Sequence, residues 1–462
     1  MVDVANDSRE NSAEQITEIW DNAPNRRVWK WVFLTSSADA LDAYFFVASS
    51  LSIIVLGNLI VLGTVDKIYL TSFFMIGIFS GAILAGKIAD AIGRKTLFRW
   101  DMLTLAIVSA VIGIVVSQVF FLPLMFGLGF LVGADVPTAW TLTAEFSPKN
   151  KRAGNLGLGF VFWVTGAAFP YWVIQLSSGL PAIDRLHLLF WIPAIVAFLL
   201  FVFRRSLVES PRWLLRENKT KEAEAETSST FGVRNENHPS SNSAVEDNTN
   251  YNKYTSFSQF VKSNYRIFFI VMIMYLGVAL FANTFALYSP FLLPKLGITT
   301  FFAKTVEFTL GWSLPQVISL IFVWRPLYER NRKLAFYTSS ISSTVAIIAL
   351  LLSYVLNFPH ILDLAFIVIF LFLSVGIQLG ERVWSSELWP TSVRSSTQGE
   401  IWGWRHFPLI FWGVFIFPAL DSSIGLGAIF GVLTAVVIII MVVGYFLPDY
   451  SGKSLEQIEQ TY

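Results

Sequence analysis

Cysteine is absent from this chain, so disulfides, thiolate metal sites and cysteine nucleophiles are all excluded. Charge is scarce: only 14% of residues are Asp, Glu, Lys or Arg, against about a quarter in ordinary soluble domains. With 54% of its 462 residues hydrophobic, the chain requires lipid as its solvent. A formal net charge of +1 gives no pull toward nucleic acid. There is no G-x-x-x-x-G-K-[ST] loop, so ATP does not power the protein directly. The four histidines are scattered and no nucleophile stands beside a base at membrane depth; the expectation is a non-enzyme with no catalytic residue, metal or cofactor. No basic stretch leads into a short apolar core at the start, so no cleaved signal peptide is expected.

Apolar runs long enough to cross about 30 Å of hydrocarbon recur along the sequence. They fall near 31–56, 69–89, 97–117, 119–145, 154–176 and 186–203, then near 265–293, 302–324, 334–355, 361–386, 396–418 and 424–447. In lipid each backbone polar group must find its partner within its own segment, so these runs are predicted to be helices. The reading is an all-α membrane protein of twelve transmembrane helices in two six-helix bundles, 31–204 and 264–447. A segment 1–30 precedes them, a tail 448–462 follows, and a linker 205–263 joins them. From about Asn218 to Lys253 that linker is too polar to order itself. Lys and Arg cluster on alternate loops, among them Arg26 and Arg27, Arg94 and Lys95, Arg204 and Arg205, and Arg330, Arg332 and Lys333. That bias places both termini and the linker in the cytoplasm of a multi-pass protein of the cell membrane.

An internal repeat links the two halves. Glu145, Pro148 and Arg152 spell E-x-x-P-x-x-x-R after the fourth helix, and Glu387, Pro390 and Arg394 spell it again after the tenth. A weaker echo pairs Asp90 and Arg94-Lys95 with Glu329 and Arg332-Lys333. Two related bundles form a site at the bilayer midplane, and rocking one against the other gives alternating access.

Three further stretches carry a resemblance. Gly86-Lys-Ile-Ala-Asp90-Ala-Ile-Gly93-Arg94-Lys95 is similar to G-x-x-x-D-x-x-G-R-[KR], Glu209-Ser-Pro-Arg212-Trp-Leu-Leu215 to P-E-S-P-R-W-L-L, and Pro448-Asp-Tyr-Ser-Gly-Lys-Ser-Leu-Glu456 to P-E-T-K-G-K-S-L-E. Together with the repeat they resemble the major facilitator superfamily, in its sugar-porter and metabolite:proton symporter branch. The resemblance implies a secondary transporter. It also implies a cytoplasmic gate of salt bridges between the bundles, built from Asp90, Arg94, Glu145, Arg152, Glu209, Arg212, Glu329, Arg332, Glu387 and Arg394. The implied partners are a small-molecule solute, protons and the bilayer, with the chain working as a monomer and binding no nucleic acid. The alternative is a solute sensor on the same fold that does not transport.

Acidic groups inside a span are expensive and functional by default. Asp39 and Asp42 lie three apart on the first helix and are expected to face a common cavity. They resemble a D-x-x-D of proton-coupled porters, as Gly133-Ala-Asp135-Val-Pro137 resembles their G-G-D-Y-P. A carboxylate shielded from water holds its proton more tightly and gives it up when hydrated, so these three are the candidates for proton coupling, the alternative being permanent pairing with an arginine. By the resemblance, Arg382 falls where sugar porters carry a tryptophan and Arg405 on a sugar-binding amide position, while Thr284 replaces the acidic residue of phosphate porters. Two accounts of these arginines compete: binding of an anionic solute, or compensation of the buried aspartates. The solute is therefore an organic acid or a sugar. Thr165, Asn283, Tyr288, Gln316, Gln378 and Trp402 complete the expected binding set, and His406 is read as a packing residue. Gly127, Gly129 and Gly133 are expected to leave a groove for close helix contact.

Overall fold

The computed structural model describes residues 13–232, 256–287, 292–412, 416, 420, 422–423 and 425–461. Twelve long helices run antiparallel in sequence order. The first six are α1 (Asn25–Leu56, with a single turn at Ser37), α2 (Thr64–Ile92), α3 (Arg94–Ile114), α4 (Gln118–Phe146), α5 (Arg152–Leu176) and α6 (Ala182–Arg204). The second six are α7 (Tyr265–Leu287), α8 (Phe301–Arg330), α9 (Arg332–Val355), α10 (His360–Glu387), α11 (Arg394–Phe411) and α12 (Leu426–Val443). Among the described residues, eleven of these meet the length and hydropathy needed to cross a membrane. The twelfth, α11, carries Arg394, Glu400, Arg405 and His406 and is correspondingly polar. Large apolar side chains such as Ile195, Phe203 and Val345 are 62%, 58% and 64% exposed, as lipid-facing surface must be.

The two halves repeat one packing scheme. In the first half α1 packs on α5, α2 on α4 and α3 on α6; in the second α7 packs on α11, α8 on α10 and α9 on α12. The halves meet where α2 lies along α11, α5 along α8 and α10, and α4 along α10 and α11. Small residues permit the closest of these contacts. A Cβ added at Gly129 or Gly133 would lie 2.1 or 2.3 Å from carbonyl oxygens of Phe74 and Ile78 on α2, so these two glycines form the groove expected of α4. Gly127 does not belong to it, since nothing lies within 4 Å of its missing side chain.

Between the halves the same device joins α2 to α11. A methyl at Gly399 would meet the Ala82 carbonyl oxygen at 2.2 Å, and one at Gly86 the Ser395 carbonyl oxygen at 2.3 Å. Thr141 of α4 is fully buried beside this contact, with its hydroxyl 3.3 Å from that of Ser395. Since overpacking costs about 1–3 kcal/mol, Gly399→Ala is expected to pry the halves apart here. A single cysteine at Thr141 in this thiol-free chain should then react with a maleimide about tenfold faster. Unchanged labelling would show that the contact is not what keeps the halves together.

The boundaries depart from expectation in two informative places. Helix α1 begins at Asn25 rather than 31, after Pro24, because Arg26 and Arg27 remain solvated while Val28 is buried. The linker does not lose order at Asn218: Thr220–Phe231 is helical, with Ala223 and Thr227 buried one turn apart. Segment 13–21 supplies the cover, where Trp20 donates its indole N–H to Thr227 at 3.1 Å and meets Phe231 edge-on at 4.9 Å. Gly232, at φ 69°, ends that helix in a conformation that favours glycine. Residues 233–255 and Tyr288 lie outside the described residues.

Candidate functional site

The functional groups form two charged layers and one aromatic chamber. The first layer closes the end of the bundle that carries the N-terminal segment, linker and tail. The repeated motif acts there reciprocally: Glu145 accepts from Arg394 at 2.6 Å, and Arg152 stands 3.6 Å from Glu387, each pair joining opposite halves. Within each half a further arginine shares the glutamate, Arg94 3.6 Å from Glu145 and Arg332 on Glu387. Asp90 accepts from Arg94 at 3.0 Å and caps the start of α11 across the interface, taking the amide protons of Ser395 and Ser396 at 3.3 and 2.7 Å. A carboxylate on the first amides of a helix meets both unsatisfied donors and the positive end of the dipole. Lys151 crosses to Glu329 at 2.8 Å and Lys87 to Glu400 at 2.8 Å.

Two of the expected gate residues work differently from the rest. Glu209 makes no bridge between halves; it accepts from the Lys95 amide at 3.1 Å and from that of Ser210 at 2.9 Å, with burial raising its carboxyl above the usual range. Gly93, at φ 99°, permits that approach, since a Cβ there would sit 2.6 Å from the Glu209 carboxylate. Arg212 binds the tail and the N-terminal segment: it donates to Glu456 at 2.7 Å and to Asp21 at 2.8 Å. Burial works against the Glu456 charge, but the Arg212 guanidinium outweighs it and lowers that carboxyl to about 2. The tail lock is therefore charged at every physiological pH.

The second layer lies inside the first bundle. Arg204, at the end of α6, donates to Asp101 of α3 and Asp135 of α4, both at 3.0 Å, and packs over the Phe98 ring at 3.4 Å. Asp42 of α1 is fully buried among Asp39, Asp101, Asp135 and Arg204, and neither of its oxygens has a partner. Helical spacing brings Asp39 and Asp42 to one side of α1, yet neither lines the cavity between the halves: Asp39 pairs with Arg382, which does, and Asp42 turns into the bundle. Asp135 is paired with Arg204 through one of its two oxygens.

The chamber sits between the halves. Asp39 accepts from Arg382 at 2.5 Å, joining α1 to α10, and from the Trp140 indole at 3.1 Å. The Arg382 guanidinium lies 4.2 Å over the Trp140 ring. Gly159 makes room for the pair, since a Cβ there would be 2.4 Å from the Asp39 carboxylate. One residue before Arg382, Glu381 pairs with Arg405, which lies 4.8 Å over Trp402 and 5.6 Å over Tyr275. Phe46, Phe160, Trp163, Trp312 and Trp402 wall a cavity of about 30 Å³, space for about two waters and too little for a hexose. Of the expected binding residues, Asn283, Gln378, Arg382, Trp402 and Arg405 line it. Gln316 stands behind, accepting from Gln378 at 3.3 Å, while Thr165 hydrogen-bonds within its own helix. His406 is buried against Trp402 and Phe46. Helix α8 widens into π turns at Phe308–Ser313 and Leu320–Trp324, a distortion frequent at functional sites, and Trp312 belongs to the first.

Four residues of these layers escape motif spacing. Glu381 and Asp101 are acidic groups inside apolar runs, detectable by the same rule that picks out Asp39. Arg204 hides in a basic cluster that topology alone explains. Asp21, which holds both Arg152 and Arg212, gives no signal before the fold is known.

A family model for sugar (and other) transporters matches residues 26–462. The minor myo-inositol transporter IolF of Bacillus subtilis is 29% identical over 82% of this chain and 81% of its own length. The putative metabolite transport protein YncC of the same organism is 27% identical over 85% of each. Among solved structures, the proton:xylose symporter XylE bound to 6-bromo-6-deoxy-D-glucose superposes with a TM-score of 0.79 at 16% identity, covering 95% of this chain and 99% of that one. XylE from E. coli in an inward-open conformation gives 0.64 at 17% identity, covering 94% and 100%. The chain belongs to the sugar (and other) transporter family of the major facilitator superfamily.

Proposed function

We propose that this transporter carries a small polar solute by proton symport through alternating access, with both termini in the cytoplasm of a cell membrane. The two bundles run over 25–204 and 265–443, joined by a linker at 205–264. The single observation that carries this reading is the buried Asp39–Arg382 pair, which ties one half to the other beside the chamber while Asp42 waits one turn away without a partner. Opening the cytoplasmic gate hydrates its ion pairs and parts the halves at that end; opening the other side exposes the chamber there. A buried carboxyl with no partner is held most cheaply with its proton on, and hydration in the opposite state releases it. Asp42 is accordingly the proton carrier, while Asp39 and Asp135 set its surroundings through Arg382 and Arg204. The intact gate in both halves favours carriage over sensing.

The reading is tested in proteoliposomes of the purified protein. An imposed gradient, acid outside, is expected to drive accumulation of a solute from a panel of labelled polyols, pentoses, hexoses and organic acids, with myo-inositol included because a relative carries it. Accumulation that ignores the gradient for every transported solute would sink proton symport.

A further inference from the structure

Away from the path between the halves, one groove joins an apolar floor to a basic rim. It is a cavity of about 840 Å³ between the start of α1 and the end of α6, open to the surroundings and lined by Trp29, Phe33, Leu200 and Phe203 together with Lys30 and Arg205. Arginines at this end of the bundle are commonly held by carboxylates: Arg204 meets Asp101 and Asp135, and Arg94, Arg152, Arg212 and Arg394 are likewise paired. The two cations of the groove are not. Among the described residues neither Lys30 nor Arg205 meets an Asp or Glu; Lys30 rests 4.7 Å from the Trp31 ring and Arg205 5.1 Å from that of Phe201. Behind them Arg99 donates to the Arg205 carbonyl at 3.2 Å, and its buried Nε has no partner. Three cations thus gather where no acid balances them.

We infer that this groove holds one anionic phospholipid from the leaflet on the gate side, with its phosphate on Lys30 and Arg205 and its acyl chains along the aromatic floor. Both parts of the groove bear on that choice. A free phosphate would leave Trp29, Phe33 and Phe203 uncovered, and a zwitterionic lipid, which carries its own counter-charge, would leave the ammonium and guanidinium unanswered. Depth agrees with it. The groove lies where the span 25–56 begins and the span 182–204 ends, the level at which headgroups meet lysine, arginine and tryptophan. Lys30 brings three donors on a flexible stem and Arg205 a planar fork, so the two can share the non-bridging oxygens of one phosphodiester. Both walls belong to the first half, apart from chamber and gate, so occupancy does not depend on what the chamber carries.

Native mass spectrometry of the full-length protein in detergent tests this with dioleoyl phosphatidylglycerol and dioleoyl phosphatidylcholine, which share their chains and differ in charge. One phosphatidylglycerol is expected to bind about twentyfold tighter than phosphatidylcholine, since each basic residue at a membrane surface is worth about fivefold in affinity for anionic lipid. Lys30→Gln and Arg205→Gln should each remove about fivefold of that preference, and the double variant should lose it. Both side chains are exposed, so the melting temperature without added lipid should not move. Arg26→Gln combined with Arg27→Gln, an equal loss of charge outside the groove, should keep the preference. An excess of glycerol 3-phosphate should displace no lipid. Equal affinity for the two lipids, a preference that survives the double variant, or the same loss from the Arg26 and Arg27 pair would overturn the proposal. Displacement by glycerol 3-phosphate would show the occupant to be a soluble phosphate instead.

Discussion

Asp42→Asn should abolish uphill accumulation under an imposed pH gradient while leaving solute exchange running. A one-unit gradient coupled through one proton supports about a tenfold accumulation, since tenfold in concentration and one pH unit are the same 1.4 kcal/mol. The variant is expected to accumulate nothing above equilibrium, with counterflow of labelled solute within about threefold of the parent, as an isosteric change in a packed site costs little. The physical ground is the pairing census of the acidic layer. Asp135 and Asp101 share Arg204, and Asp39 holds Arg382, whereas Asp42 is fully buried with both oxygens unmet. Removing a paired aspartate would strand an arginine in a dry site and risk the fold. Removing the Asp42 carboxyl strands no partner. Accumulation that persists in Asp42→Asn would locate the proton elsewhere.

Arg394→Gln should shift the transporter toward the state open at the gate. Glu145 is wholly buried there and depends on Arg394 for its pair across the halves. Deleting one partner of a buried ion pair costs about 3–5 kcal/mol, because the other charge stays dry and uncompensated. That cost falls on the shut state only, since Glu145 is hydrated once the halves part. The equilibrium therefore moves by a factor of about 10² to 4 × 10³ toward opening. Arg94, 3.6 Å away, recovers part of the loss, which places the expectation at the lower figure. Maleimide labelling at Thr141→Cys measures it directly, in a chain with no competing thiol. A labelling rate unchanged from the parent would mean that this pair does not hold the gate.

Much of this architecture is readable before folding because lipid imposes so few solutions. Length and hydropathy place the helices, and the duplicated glutamate–arginine spacing announces two related halves that meet at those residues. The partners across the interface are a different matter. Spacing shows that Glu145 and Arg394 occupy equivalent ends of two repeats, but only packing brings each to the other's half. Within the membrane the rule that buried charge matters finds Asp39, Asp42, Asp135, Arg382 and Arg405 and says nothing of who meets whom. Pairing between α1 and α10 spans 343 positions, and no local pattern encodes it. The order at 220–231 is hidden for a similar reason: the segment reads as too polar to fold until Trp20, some 207 positions away, supplies the apolar cover.

The cap that Asp90 places on α11 also sets the terms of the motion. Once the two halves part, the first amides of α11 and the freed carboxylates and guanidiniums all need new partners, and only solvent can provide them. On the alternating access proposed above, each cycle draws a packet of water into the crevice and expels it again. The pace of such a cycle is then expected to fall as osmotic pressure rises.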